Sequence, residues 1–441
     1  MPRPQLSGFL LLTLCLLLCL FPLPLSCGSQ PARAEPETAP RSIILMIADG
    51  LGYAHVAAGG MYRFGASGTQ SYEQWPVQLA MSTYPAGGGY DPQLMWSDPL
   101  WQRSNPTDSA AAATAMATGY KTDNGVISLD PGGRLLPTVV EAAASRGLRT
   151  GVVTSVPFCH ATPAAFGAHV LTRSDYTEIA RQMLHDSPLD LIIGCGNPWY
   201  DNAGQRRSAP DYRYISEADW QAIQAPAASG WSFVEQLQQF EQLAQQGGNG
   251  RIIGIPRVWG TLQEERPARA ERPYESPLNP NLPDLSTLSL AALNTLDNEK
   301  GFFLMIEGGA VDWAAHDQDE VRLIEELQDF NQAVDVVSAW IEHGPGWDDC
   351  LLVVTGDHEC GHLCRDGSDL LELLPESREA GELPGMVCSY GSHTNQLIPL
   401  YARGSGAELL LPLADETDPV RGAYLDNAEL GQFLIRVTES R

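Results

Sequence analysis

Positive charge is scarce in this chain: 27 lysines and arginines stand against 54 aspartates and glutamates in 441 residues, a net charge of −27. Nucleic acid is held mainly through lysine and arginine contacts to phosphate, so it is not an expected partner. A small anionic substrate would need local positive charge to overcome this field, and bound divalent cations are the economical source. Long apolar runs are also lacking after the first segment. There, Arg3 precedes the nearly unbroken apolar run from Phe9 to Leu25, and Ala32-Arg33-Ala34 follows. This is the pattern of an export signal over 1–34. The run is shorter than the ~20 residues a spanning helix needs, and no later stretch approaches it. No stable membrane span is therefore expected, and the remaining 35–441 is expected to be periplasmic or extracellular. Lipid attachment at Cys27 is the lesser alternative, because Pro24 and Leu25 ahead of Ser26 make a poor lipobox.

Cysteine is sparse outside that segment: Cys159, Cys195, Cys350, Cys360, Cys364 and Cys388 remain. An even number in an oxidising compartment predicts disulfides, with no pairing favoured. The sequence also lacks an internal repeat and a Gly-x-Ser-x-Gly elbow, and no histidine lies near Ser109 in sequence. That argues against a Ser/His/Asp triad and for activation of a hydroxyl by metal.

What is present, with 44% hydrophobic residues, is enough for a large core. Short β-branched or leucine-rich runs alternate with helical patterns from Ser42 onward, which predicts a mostly parallel α/β sheet with helices on both faces. The expected strands are Ile43–Ala48, Arg149–Ser155, Leu189–Ile193, Phe302–Ile306, Leu351–Thr355 and Gln396–Ala402. Helices are expected over Leu136–Arg146, closed by Gly147 as a left-handed cap, and over Glu320–His343. The region 197–300 changes character: it is richer in Trp, Gln and Pro, with a polar helical pattern from Phe233 to Gln246 and a Pro-rich stretch from Pro267 to Pro283. It is expected to be an insertion within the 35–441 domain, serving as a lid or a homodimer surface.

Polar residues recur at the carboxyl ends of the expected strands, where parallel sheets bind ligands. Asp312 and His316 lie four apart after the strand ending at Ile306, on one side of a helical turn, so they can share a metal. Asp357-His358 and Asp49 end two other strands, and buried carboxylates there are costly unless paired or metal-bound. A helix cap is the plainer role for Asp49. His393 sits in a loop before the last strand and gains meaning only from this company. Ser109 opens an alanine-rich helix, whose N-terminus suits a phosphoryl group; an N-cap serine is the plainer role.

In chain order, Asp49-Gly-Leu-Gly, Asp108-Ser109-Ala with Gly119-Tyr-Lys-Thr, His160-Ala-Thr162-Pro-Ala followed by Arg173, Glu307 to His316, Asp357-His358-Glu and His393-Thr resemble the motifs of the alkaline phosphatase family from about Ile43 to Gly404. The resemblance implies a phosphomonoesterase with Ser109 as the transiently phosphorylated nucleophile. It implies one zinc held by Asp312, His316 and His393, a second by Asp49, Asp357 and His358, and a magnesium by Asp49, Thr162 and Glu307. Arg173 becomes a bidentate phosphate clamp oriented by Asp108. His160 and Trp313 stand where the best-known bacterial pattern often has aspartate and a cationic or imidazole residue, which bears on the third metal and on phosphate affinity. Small phosphate monoesters are the expected substrates.

Three other readings compete. Phosphodiester or sulfate hydrolysis on the same scaffold is the nearest, although Ser109, Arg173 and the third-site residues favour monoesters. His358-Glu359-Cys-Gly-His362 matches the His-Glu-x-x-His motif of zinc peptidases, but that motif requires a helix, and this one abuts a strand and contains Gly361. The third reading is an inactive phosphate- or metal-binding protein, against which all the expected ligands and the nucleophile are present.

Overall fold

The computed structural model describes residues 39–367 and 374–440. The expected leader over 1–34, with Cys27, lies outside these. Fifteen strands are found among the described residues: β1 Ser42–Ala48, β2 Val77–Ser82, β3 Arg149–Pro157, β4 Leu191–Cys195, β5 Trp231–Val234, β6 Arg251–Gly254, β7 Phe302–Gly308, β8 Cys350–Gly356, β9 Glu359–Cys360, β10 Leu363–Arg365, β11 Met386–Cys388, β12 His393–Thr394, β13 Ile398–Gly404, β14 Glu416–Asp418 and β15 Gly422–Asp426. Eleven form one sheet in the order β14-β15-β2-β13-β8-β1-β7-β3-β4-β6-β5. From β8 to β5 every neighbour is parallel; β13 runs antiparallel to both β8 and β2.

The central strand β1 reads Ser-Ile-Ile-Leu-Met-Ile-Ala and is buried throughout. An alternating strand with one wet face would not carry such a run, whereas a strand covered on both faces does. Ile43, Leu45 and Ile47 enter one apolar cluster, and Ile44, Met46 and Ala48 enter another. The helix Ser109–Thr118 belongs to the first layer, with all ten residues buried. Its small side chains permit close approach by the C-terminal helix Asn427–Glu439: a Cβ on Gly431 would lie 2.2 Å from the Ala115 carbonyl oxygen. The helices Glu320–His343 and Leu285–Leu296 supply much of the other layer.

Each of the six expected strands is present within a few residues of its expected bounds, and the Glu320–His343 helix has the expected bounds. Leu136–Arg146 contracts to the helix Val139–Ser145, followed by Gly147 at φ 77°. The region 197–300 is partly built into the sheet: β5 and β6 extend its edge, and Leu285–Leu296 packs beneath β3 and β7. The polar pattern Phe233–Gln246 is not one helix. Trp231–Val234 pairs with β6, and the helix begins only at Leu237, after a capping box centred on Gln236. The disulfide expectation also fails here, because the six cysteines of the described region are all free and buried. No helix of the described residues is long and apolar enough to cross a membrane.

Candidate metal and phosphate site

The register of the central strands builds the site. Ile47 of β1 is level with Glu307 of β7 and Thr355 of β8, so Asp49, Glu307 and Asp357 emerge together at one end of the sheet. Asp49 is not a helix cap: the helix Tyr53–Phe64 is capped at Gly52. The turn after Asp49 depends on Gly50, whose φ is 82° and whose backbone N–H donates to Asp357 Oδ1 at 3.0 Å. A Cβ there would stand 3.0 Å from Asp312 Cα and from Cys360 Cβ.

Two clusters result. In the first, His358 Nε2 lies 3.5 Å from Asp49 Oδ1, 3.2 Å from Asp357 Oδ2 and 3.3 Å from Ser109 Oγ. In the second, Asp312 is 3.4 Å from His316 Nε2 through one oxygen and 3.3 Å from His393 Nε2 through the other. His316 Nδ1 is 3.0 Å from the Gly391 carbonyl and His393 Nδ1 is 2.8 Å from the Thr107 carbonyl. Each Nδ1–H therefore donates to backbone, which turns both Nε2 lone pairs inward, 3.0 Å apart. Two facing ring nitrogens repel unless a proton or a metal cation lies between them.

The buried charges make the same demand. Both oxygens of Asp49, one of Glu307 and one of Asp357 have no hydrogen-bond partner. Burial, then the nearby Asp357, Asp312 and Glu307, hold the Asp49 carboxyl well above the usual range. Burial raises Glu307 to about 8 despite the hydroxyls of Thr154 and Thr162 against it, and burial with the Asp312 charge raises Asp357 to about 6. Burial would lower His393, but hydrogen bonding and charge from Asp312 raise it to about 9. Asp312 itself, although buried, is held well below the usual range by His393, His316 and His358. The oxygen and imidazole donors suit zinc at both clusters, and the all-oxygen set of Asp49, Glu307 and Thr162 suits magnesium.

Ser109 is the first residue of its helix, and the N-cap role falls to Asp108, whose Oδ1 accepts from Ala111 N at 2.9 Å. Asp108 Oδ2 accepts from Gly125 N and from Arg173 Nη1, both at 3.0 Å. One carboxylate thus fixes the helix start and the arginine together. Arg173 lines a cavity of about 330 Å3 with Asp312, His316, His160 and Trp313. The His160 ring lies 5.4 Å from that of Trp313 and stacks on Tyr176 at 6.2 Å. Burial and the Arg173 charge push His160 down to about 3, which keeps it neutral. The peptidase-like stretch has no helix: Glu359–Cys360 is a strand, and Gly361 and His362 take φ of 86° and 44°.

Four partners escape sequence reading. Thr154 hydrogen-bonds Glu307 from the neighbouring β3, and nothing in its run of β-branched residues singles it out. The Thr107 and Gly391 carbonyls act as backbone, which carries no sequence signal. Cys360, counted above with the disulfide candidates, pairs in register with His393. Its Sγ stands with the Asp312, His316 and His393 donor atoms, all within 4.8 Å of one another.

Comparison with known proteins identifies a family and a fold. The family described as Alkaline phosphatase matches residues 40–418. Alkaline phosphatase 4 of Bacillus subtilis is 31% identical over 339 residues, covering 75% of this chain and 64% of that protein. The chain thus spans just under two thirds of that relative. Streptomycin-6-phosphate phosphatase of Streptomyces griseus is 31% identical over 455 residues, with 90% of each chain covered. Among solved structures, the alkaline phosphatase of the Antarctic bacterium TAB5 superposes with a TM-score of 0.65 at 24% identity, over 92% of this chain and 100% of that one. The Thermus thermophilus alkaline phosphatase gives 0.66 at 19% identity, over 96% of each. These two are likenesses of fold.

Proposed function

The chain belongs to the alkaline phosphatase family, and from that premise we propose that it is an exported, metal-dependent phosphomonoesterase working through a phosphoserine at Ser109. The observation that carries the reading is Ser109 Oγ at a helix N-terminus, 3.3 Å from His358 Nε2, beside the carboxylates of Asp49, Glu307 and Asp357, each of which has at least one buried oxygen without a hydrogen-bond partner. Asp312, His316 and His393 would hold one zinc, Asp49, Asp357 and His358 a second, and Asp49, Thr162 and Glu307 a magnesium. When bound, these ions supply Lewis acidity that offsets phosphate charge and makes an oxygen nucleophile easier to deprotonate.

The chain's own residues do the rest. Arg173, held by Asp108, presents its remaining N–H groups to the non-bridging phosphate oxygens and fixes the phosphorus for in-line attack. The N-terminus of the Ser109–Thr118 helix adds a favourable field for the same group. Ser109 Oγ bonds to phosphorus as the alcohol departs, and water then cleaves the phosphoserine to release inorganic phosphate. His160 and Trp313 line the cavity and offer no cation, so phosphate binding rests on Arg173 and the metals.

The test is hydrolysis of an aryl phosphate, in parallel with an aryl phosphodiester and an aryl sulfate. Streptomycin 6-phosphate, named for the Streptomyces griseus relative, is a further monoester to include. Expected is monoester cleavage that chelation abolishes and zinc plus magnesium restore. Preferential diester or sulfate cleavage would move the chain to another activity on this scaffold.

A further inference from the structure

A second cavity, of about 410 Å3, shares no lining residue with the catalytic one. Five carboxylates line it: Glu325, Glu326 and Asp329 from the Glu320–His343 helix, Asp284 at the start of Leu285–Leu296, and Glu241. No lysine or arginine does. The arginines beside it, Arg266 and Arg322, are both committed to Glu325 Oε2 at 2.7 Å. Asp329 accepts from the Leu285 backbone N–H at 3.2 Å.

Glu326 is different. It is 5% exposed, and its carboxylate has no hydrogen bond or ion pair among the described residues. A buried carboxylate left unpaired is costly. Burial first, then the charges of Asp329, Glu264 and Glu325, hold it well above the usual range. A cation in the cavity would relieve all of these at once.

Two observations choose the kind of cation. Among the described residues, groups of three or more His, Cys, Asp or Glu with donor atoms within 4.8 Å occur only at the catalytic centre, so no three of these five carboxylates converge on one point as they would around a metal ion. The lining also includes the hydrocarbon side chains of Leu237, Leu262, Leu278 and Leu282, and the volume is that of a site for a small organic molecule.

We propose that this cavity binds a small organic cation, with its ammonium against Glu326 and flanked by Asp329 and Asp284, and its hydrocarbon body against the four leucines. Calorimetry on the metal-loaded protein tests it, with 1,4-diaminobutane and benzylamine as probes, 1,4-butanediol as a neutral control and calcium chloride as the metal arm. Either amine should bind at one site and the diol should not. Glu326→Gln should weaken amine binding at least tenfold without lowering the melting temperature, since no partner is lost. Asp284→Asn, which keeps a capping side chain, should weaken it about threefold and serves if the first variant does not fold. Silence from both amines, equal affinity in the variants, or calcium binding that depends on Glu326 while the amines stay silent would each overturn the assignment.

Discussion

His316 and His393 show how little of a metal site resides in its ligands alone. Each imidazole is turned by a backbone carbonyl, from Gly391 and Thr107, and only that orientation aims two lone pairs at one point beside Asp312. The sequence displays the histidines and the aspartate, while the carbonyls that aim them are invisible in it. Asp108 presents a similar case. Its place before Ser109 is legible, yet the structure gives it three acceptor contacts, to Ala111, Gly125 and Arg173, and leaves Ser109 free of the capping role. Arg173 is then a pre-positioned clamp. Arg173→Ala should raise KM for an aryl phosphate by about 10- to 100-fold, as expected for loss of charge-assisted hydrogen bonds of ~1.5–3 kcal/mol, with metal content unchanged. Steady-state kinetics beside elemental analysis checks this; an unchanged KM would remove Arg173 from phosphate binding.

Among the elements, the strands that converge on the site were legible because each is a buried, two-sided apolar run ending in a polar residue. β1, β7 and β8 are of this kind. The edge strands were not. Trp231-Ser-Phe-Val has only four residues, too few to display an alternation, and the glutamine-rich helix after it absorbs it into one apparent pattern. β2 alternates only weakly, with a burial pattern that changes after three residues. The tight turn between β1 and the following helix is the element on which the site most depends, because Gly50 both adopts a positive φ and abuts Asp312 and Cys360. Gly50→Ala should cost about 1–3 kcal/mol from backbone strain and shift Asp312, so the melting temperature and zinc content should fall together. Thermal unfolding with metal analysis decides it; a stable variant with full zinc content would show that the turn tolerates a side chain.

For the molecule as a whole, the sheet order places residues from distant parts of the chain around buried charge that the fold alone leaves unsatisfied. In metal-free protein, Glu307 and Asp357 keep protons to about pH 8 and 6, whereas unfolded carboxyls release theirs near pH ~4. The native state then binds more protons than the unfolded state, so stability falls as pH rises through this window. Thermal unfolding of chelated protein should therefore show a melting temperature that declines from pH 5 to 8.5, with a flatter profile once zinc and magnesium are restored. Equal slopes in the two states would mean that these carboxylates do not hold the metals. The central claim is narrower and concerns one bond. Acid quenching during turnover of an aryl phosphate, followed by peptide mass spectrometry, should find phosphate on Ser109 in the wild type. Ser109→Ala should show none and lose about 10^3-fold or more in turnover with metals retained. Full turnover by the alanine variant, or phosphate on another residue, would contradict the account.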